Sequence, residues 1–222
     1  MGIRTIFGSR PVLEFRDEHS RRSFLRNAAL VGVGLTYAAT RAGDPVAFGS
    51  SGNADRGFGK EAAKSDLDIL NYALTLEYLE SAFYTMGLKA KLLKGRELEL
   101  IDPIQQHEAN HVTAVKTTIQ DLGGKPVAAP KVKFPAGTFS SRAAFLMTAG
   151  TFEELGVKAY HGQVPLVKDG HILAAAASIA GVESRHAAII AQISGGNPFP
   201  APIEAHLGMA PVLKAAMPFI AK

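Results

Sequence analysis

The sequence contains no cysteine among its 222 residues. A chain without thiols forms no disulfides, and any metal that it binds must have nitrogen and oxygen ligands, because thiolate sites are excluded. Its composition, 47% apolar and 20% charged residues, is that of an ordinary globular protein long enough to bury one sizeable core. We therefore expect one folded domain.

The body of the chain also lacks an excess of basic residues. Residues 1–43 carry seven of the 24 Lys and Arg residues but only three of the 20 Asp and Glu residues, which leaves 17 of each sign beyond them. The net charge of +4 therefore comes from the N-terminal segment. Because nucleic-acid binding needs a basic face on the folded domain, we expect no nucleic-acid partner.

The most apolar N-terminal stretch is short. Ser-Arg-Arg-Ser-Phe-Leu-Arg at 20–26 precedes an apolar run at 28–39, and a Gly/Ser/Asp-rich stretch follows from 43 to 59. This order resembles a twin-arginine export signal, since the apolar run is too short to span a bilayer comfortably. An alternative is that the arginine pair is the solvated start of an ordinary helix.

From this pattern we predict a signal peptide at 1–42 and a flexible linker at 43–64. The twin-arginine export machinery would be a partner, and the mature chain would be periplasmic or extracellular, without stable membrane insertion. No clean Ala-x-Ala cleavage site occurs. An uncleaved N-terminal anchor is therefore left open.

Four later segments have helical composition and apolar stripes at helical spacing. A Pro/Gly-rich stretch at 123–140 predicts a long crossover between helices two and three. The Pro-rich residues 197–222 are expected to form a C-terminal tail that packs on the bundle. The sequence thus predicts an all-α fold, a four-helix bundle at 65–196, with helices at about Ser65–Met86, Pro103–Leu122 (an earlier start being left open), Ser141–His161 and Asp169–Ile193.

The same ligand-type residues occur in both halves of the predicted bundle. Helices two and four each carry Glu-x-x-His, and helices one and three each carry a glutamate followed seven residues later by a tyrosine. The step between the two glutamates of a half is 31 residues in the first half and 30 in the second. This is an internal repeat. Its members are Glu77, Tyr84, Glu108 and His111, then Glu153, Tyr160, Glu183 and His186.

Glutamate and histidine three residues apart on a helix project from one face and can bind the same ion. Two such helices, with one glutamate from each of the other two, form the di-iron or di-manganese arrangement of carboxylate bundles. Four carboxylates balance the charge of two divalent cations. We therefore predict a site for two iron or manganese ions with the ligands Glu77, Glu108, His111, Glu153, Glu183 and His186.

Spacing alone leaves some assignments open. Glu80 lies one turn from Glu77, and Glu154 is adjacent to Glu153, so either could be a ligand or flank the site. The tyrosines at 84 and 160 are expected to hydrogen-bond to ligand carboxylates or to be ordinary core tyrosines.

A different alternative comes from His107-Glu108-x-x-His111, which matches the signature of zinc metalloproteases. In that hypothesis the two histidines bind zinc and Glu108 is the general base. It leaves the second half of the chain unexplained.

Several segments together resemble the ferritin-like domain family that includes plant desiccation-related proteins and many exported bacterial proteins. They are LNYALTLEYLESAFY, HEANHV, FEELGVKAYHG and GVESRHAA, within residues 66–193. The resemblance implies a bundle with a carboxylate-bridged metal pair on the six residues named above. Related bundles oxidise ferrous iron, dismutate peroxide at manganese or store metal, so the resemblance does not choose among these activities.

We expect an oxygen- or peroxide-consuming protein, either ferroxidase-like or manganese-catalase-like. The alternative is a non-catalytic stress- or desiccation-related envelope protein in which the metals serve only as structural staples. A homo-oligomer is compatible with either hypothesis.

Overall fold

The computed structural model describes residues 65–221, so the predicted signal peptide and linker lie outside the described residues. Within this range the chain forms five α-helices and no strand. The prediction of an all-α bundle is confirmed. The helices are α1 (Asp66–Lys89), α2 (Gly95–Asp121), α3 (Arg142–Gln163), α4 (Gly170–Ile193) and α5 (Met209–Ala216).

Side-chain caps begin three of the helices. At α1 the Ser65 hydroxyl accepts a hydrogen bond from the Asp68 backbone N–H at 3.1 Å, and the Asp68 carboxylate accepts one from the Ser65 N–H at 3.0 Å. Ser141 caps α3, and Asp169 caps α4. Each cap satisfies backbone donors that the helix leaves unpaired and typically contributes about 1 kcal/mol.

Helix α2 begins eight residues before Pro103, which therefore lies inside it. A proline lacks an N–H and so removes one helical hydrogen bond. The early turns are nevertheless retained, because Ile101 is fully buried. In addition, Arg142 donates hydrogen bonds to the Glu97 carboxylate at 2.6–2.9 Å and to the carbonyl of Ile193 at 2.7 Å, which ties α2 to α3 and α4.

The bundle consists of two helical hairpins. Helix α1 packs on α2 and α3 on α4, and the hairpins meet along α1–α3 and α2–α4. Tyr84 of α1 contacts Glu153 of α3, whereas Tyr160 of α3 contacts Glu77 of α1. Helices α1 and α3 are therefore antiparallel, and the sequence repeat appears in space as an approximate two-fold relation between the hairpins.

The two ends of the bundle interior are filled differently. Beside Tyr84, Phe83 stacks on Phe145 with ring centroids 5.0 Å apart and meets Phe152 edge to face. Beside Tyr160 there is a largely apolar cavity of about 60 Å³. Ala159 lines it at the position that matches Phe83 in the repeat. One end is thus densely packed with aromatic rings and the other is not.

The crossover and the C-terminal segment pack on each other and on the bundle. Val132 and Ile220 form an isolated antiparallel bridge, and the Leu207 N–H donates to the carbonyl of Lys158 at 3.0 Å. The helix α5, which the sequence did not predict, buries Met209 and Val212. In the described part of the chain, none of the helices has the length and apolar character needed to cross a bilayer.

Candidate metal centre

The structure brings all six predicted ligands together in the middle of the bundle. Each helix of the bundle contributes through its inward face, and none of the six residues is more than 8% exposed. Their donor atoms form two groups, each spanning no more than 4.8 Å. The first consists of Glu77, Glu108, His111 and Glu183, and the second of Glu108, Glu153, Glu183 and His186.

The two groups share the glutamates of the Glu-x-x-His pairs. Glu108 and Glu183 belong to both groups, whereas Glu77 and Glu153 belong to one group each. Two ions held by these groups would share Glu108 and Glu183, while Glu77 and Glu153 would each serve one ion, as in carboxylate-bridged metal pairs of helical bundles. Carboxylate and imidazole donors suit iron and manganese, so the residues present fit such a pair.

Carboxylates surround one nitrogen of His111. Its Nδ1 lies 3.4 Å from Glu77, 3.3 Å from Glu108 and 3.2 Å from Glu183. A single N–H can donate one good hydrogen bond, so it cannot satisfy three carboxylates. Donor atoms converging in this way are typical of a metal site.

His186 is placed similarly in the second group. Its Nδ1 lies 3.0 Å from Glu108 and 3.4 Å from Glu153. Its other nitrogen, Nε2, lies 2.9 Å from Nδ1 of His107, and the two rings stack with centroids 5.2 Å apart. A histidine whose second nitrogen is hydrogen-bonded is held in one tautomer and orientation, as metal-ligating histidines generally are.

Each tyrosine hydrogen-bonds to the ligand glutamate of the opposite half. The Tyr84 hydroxyl donates to Glu153, and the Tyr160 hydroxyl donates to Glu77. Both tyrosines are buried. They orient the two terminal carboxylates, and the crossed arrangement was not deducible from the sequence because it depends on how α1 and α3 pack.

Several donor atoms of the site are buried without a hydrogen-bond partner among the described residues. Burying an unpaired carboxylate oxygen costs free energy of folding, so such atoms need another partner. Cations that bind all of them would supply it. These atoms are Glu77 Oε2, Glu108 Oε1, Glu153 Oε2, both oxygens of Glu183, and His186 Nδ1.

Burial dominates the electrostatics of most of the carboxylates. It raises the pKa of Glu77 to about 7, and it also raises the pKa values of Glu153 and Glu183. Glu108 differs, because the nearby imidazoles of His111 and His186 outweigh the effect of burial and hold its pKa at about 2. Without cations, the cluster therefore retains protons on several carboxyl groups.

The pKa values of the two histidines are raised, which is opposite to the effect of burial alone. Burial lowers the pKa of a histidine, but the nearby carboxylates of Glu108, Glu183 and Glu77 outweigh it and raise the pKa of His111 to about 12. Glu108 and Glu153 likewise raise the pKa of His186 to about 10. A metal ion must displace these protons, since it binds neutral imidazole.

The neighbouring glutamates left open by the spacing have different positions. Glu80 is 4% exposed, lies among the ligand carboxylates, and has a strongly raised pKa caused by burial and then by Glu183. Glu154 is exposed and pairs with Lys158 at 2.8 Å. The suggestion that Glu154 flanks the site is therefore wrong, because adjacent helical residues point about 100° apart.

The structure does not assemble the zinc-protease arrangement either. His107 is exposed and belongs to neither of the metal-holding groups found among residues 65–221. Glu108 is fully buried between the two groups, where it cannot reach a peptide substrate as a general base. His107 instead contacts His186, which the linear motif did not indicate.

A groove connects the histidines with the surface between α2 and α4. It has a volume of about 430 Å³, and its lining includes His107, His111, Arg185 and His186. The ligand carboxylates are 0% exposed. The groove therefore gives small molecules a route to the histidine side of the cluster.

The buried cluster contains two histidines and four carboxylates, two of which are shared between the ligand groups. Four-helix bundles with such a cluster form a class of metal-binding proteins. Residues 65–196 match the sequence model described as the ferritin-like domain, which covers more than half of the chain. The chain belongs to this family. No curated protein matches it closely enough to add a relative.

Proposed function

We propose that this protein binds a di-iron or di-manganese pair and uses it to oxidise metal ions or to remove peroxide or oxygen. The observation that carries the proposal is the pair of overlapping ligand groups that share Glu108 and Glu183. Glu77 and His111 would complete one ion's ligands, and Glu153 and His186 those of the other.

A bound iron or manganese pair supplies redox chemistry toward oxygen and peroxide. The protein's own side chains hold the pair and limit access to it. Tyr84 and Tyr160 orient the terminal carboxylates, and the buried helix faces exclude bulk water. Because only the histidine side meets the groove, the arrangement favours small oxidants over bulky organic substrates.

The test begins with metal content. We expect the purified full chain to bind two Fe(II) or Mn(II) ions, measured by elemental analysis after anaerobic loading. The loaded protein is then mixed with oxygen or peroxide, and metal oxidation and oxygen release are followed. The control is the double variant Glu108→Ala/Glu183→Ala, which removes both shared ligands and should bind neither ion.

The outcomes separate the alternatives. Absence of stoichiometric transition metal in the wild-type chain would refute the proposal. A pair that binds but never changes oxidation state with either oxidant would favour the non-catalytic stress-related role. If His107→Ala lost all metal while His186→Ala retained it, the zinc-protease ligand set would be the better explanation.

We further propose, from the N-terminal sequence, that the protein is exported by the twin-arginine route. Export of an already folded bundle would allow metal insertion in the cytoplasm. Replacing both Arg21 and Arg22 by Lys should leave the protein in the cytoplasm, as measured by cell fractionation. Unchanged export of this variant would contradict the proposal.

A further inference from the structure

The repeat is broken at the centre of the α1–α3 interface. The position in α3 that matches Glu80 of α1 is Gly156. The crossed contacts of Tyr84 with Glu153 and of Tyr160 with Glu77 lie on either side of this pair, so Glu80 and Gly156 face each other near the approximate two-fold axis. Matched residues on such an axis compete for the same space.

The Glu80 carboxylate occupies the space that a side chain at 156 would need. A Cβ atom added to Gly156 would lie 3.0 Å from Glu80 Oε1 and 2.9 Å from Glu183 Oε2. Both distances are shorter than ordinary van der Waals contacts. The glycine therefore leaves room for two carboxylate oxygens, one from Glu80 and one from a shared ligand.

Glu80 has no partner that explains its burial. It is 4% exposed, and the groups that act on it electrostatically are the carboxylates Glu183, Glu108, Glu153 and Glu77. Like His107, Glu80 belongs to neither of the two ligand groups found among residues 65–221, so its carboxylate would have to move closer to theirs to bind an ion. No hydrogen bond or ion pair among these residues satisfies it. A carboxyl group in such a position is costly unless a cation binds there. Hydrophobic packing alone would favour an apolar residue.

We propose that Glu80 is a fifth carboxylate ligand of the metal pair and binds it from the centre of the α1–α3 interface. The inference rests on the proposed function, because it requires the pair. Its consequence is an asymmetric centre, since the second half offers only Gly156 at the matched position. Four carboxylates balance two divalent ions, so a fifth favours the pair after oxidation has increased its charge.

Two substitutions test this assignment from opposite sides of the interface. Glu80→Gln retains the size of the side chain but removes the charged ligand, and it is the decisive variant. Gly156→Ala retains Glu80 but places a methyl group against both Glu80 and the shared ligand Glu183, so it tests the packing of these two carboxylates together. Gly150→Ala is the matched control on the same helix, because its Cβ would meet only Ile190 Cγ2 at an ordinary 3.5 Å.

We expect the wild type and Gly150→Ala to bind two Mn(II) ions with the same affinities. Glu80→Gln and Gly156→Ala should each lower the affinity for at least one ion by about tenfold or more. This is the loss of affinity typical of removing the hydrogen-bond partner of a metal ligand. In the iron-loaded protein, Glu80→Gln should shift the midpoint potential of the pair upward. Thermal unfolding of the metal-free variants checks that each one is folded.

A crystal structure of the metal-loaded wild type gives the direct readout. A Glu80 oxygen at about 2.0–2.2 Å from an ion, in the reduced or the oxidised state, would support the proposal. Wild-type affinities in Glu80→Gln, together with an uncoordinated Glu80 in both states, would overturn it while leaving the metal pair intact. A wild-type chain that binds no transition metal would instead refute the proposed function, and this inference with it.

Discussion

The α1–α2 hairpin and the α3–α4 hairpin carry the same ligands in the same order, but their surroundings differ. Glu80 corresponds to Gly156, Phe83 to Ala159, and His107 to Val182. These differences lie beside the ligands. The comparison indicates that the repeat preserves the residues that could hold metal ions, while the non-repeated neighbours make the surroundings of the two ligand groups chemically different.

The difference between the histidines illustrates this. His186 of the second half has His107 against its second nitrogen, whereas Val182, at the position that matches His107, offers His111 no polar group. His111 in turn faces three carboxylates at 3.2–3.4 Å, and His186 faces two at 3.0–3.4 Å. One imidazole is oriented by a second ring and the other by its carboxylate neighbours.

Among the variants that compare the two halves, the largest expected effect comes from removing a histidine, because each histidine belongs to one ligand group. His111→Ala and His186→Ala should each reduce the bound metal from two ions to about one, because each histidine belongs to a single ligand group. We expect the affinity for the affected ion to fall by more than about 100-fold, beyond the loss typical of an outer hydrogen-bond partner. Elemental analysis and calorimetric titration measure both quantities.

Glu154→Gln is the control for these variants, because Glu154 is exposed and pairs with Lys158 on the surface. It should bind metal as the wild type does. Loss of both ions in either histidine variant would show that the two ligand groups do not bind ions independently. The two halves could then not be compared as separate sites.

The next effect is the pH dependence of the metal-free protein. Glu77 has a pKa of about 7 in the folded protein and of 4.5 in the unfolded chain, so the folded state binds this proton more tightly. The resulting contribution to the free energy of unfolding is fully present below pH 4.5 and is lost as the pH rises through 7. For Glu77 alone the loss is on the order of 3 kcal/mol. The raised pKa values of His111 and His186 also lower the free energy of unfolding as the pH rises above 6.5.

We therefore expect the metal-free protein to unfold at a lower temperature at pH 8 than at pH 5, as measured by calorimetry. Mn(II) should reverse this trend, because bound cations stabilise the ionised carboxylates and affinity rises as competing protons leave. An unfolding temperature that rises from pH 5 to pH 8 without metal would contradict the pKa shifts. Titration followed by NMR should show His186 losing its proton before His111.

The tyrosines should give a smaller effect that differs between the halves. Tyr84→Phe and Tyr160→Phe each leave a buried carboxylate without its hydroxyl donor, at a cost of about 1–3 kcal/mol in the metal-free protein. We expect the larger loss at Tyr84, because phenylalanines pack closely around it, whereas Tyr160 borders a largely apolar cavity that leaves its neighbours room to adjust. Chemical denaturation measures the difference, and equal losses would indicate that the cavity has no effect.

The smallest effect concerns the cavity itself. Ala159→Leu should fill part of the roughly 60 Å³ space and raise the free energy of unfolding by about 0.5–2 kcal/mol. Ala149→Leu on the same helix is the control, because Ala149 is fully buried away from the cavity and the larger side chain should destabilise the protein. Destabilisation of similar size by both variants would argue against an unfilled space beside Tyr160.

The sequence predicted the four-helix architecture well, and it identified the six residues that the structure brings together. Caps such as Ser65 with Asp68 are local, so they were visible before the tertiary structure. The start of α2 was less well predicted, because the helix continues before Pro103 through long-range contacts such as Arg142 with Glu97. The helix α5 is only eight residues long and follows a Pro-rich segment, so it was not recognised in the sequence, and it docks on the bundle through Met209, Val212 and Ala216.

The sequence by itself determined which residues share a helix face, because glutamate and histidine three residues apart must project together whatever the rest of the chain does. It could not determine which faces meet. The tertiary structure decided that Tyr84 reaches Glu153, that His107 reaches His186, and that Glu154 faces solvent. It also placed Glu80 against Gly156, because close contacts across antiparallel helices depend on packing register, which local spacing does not encode.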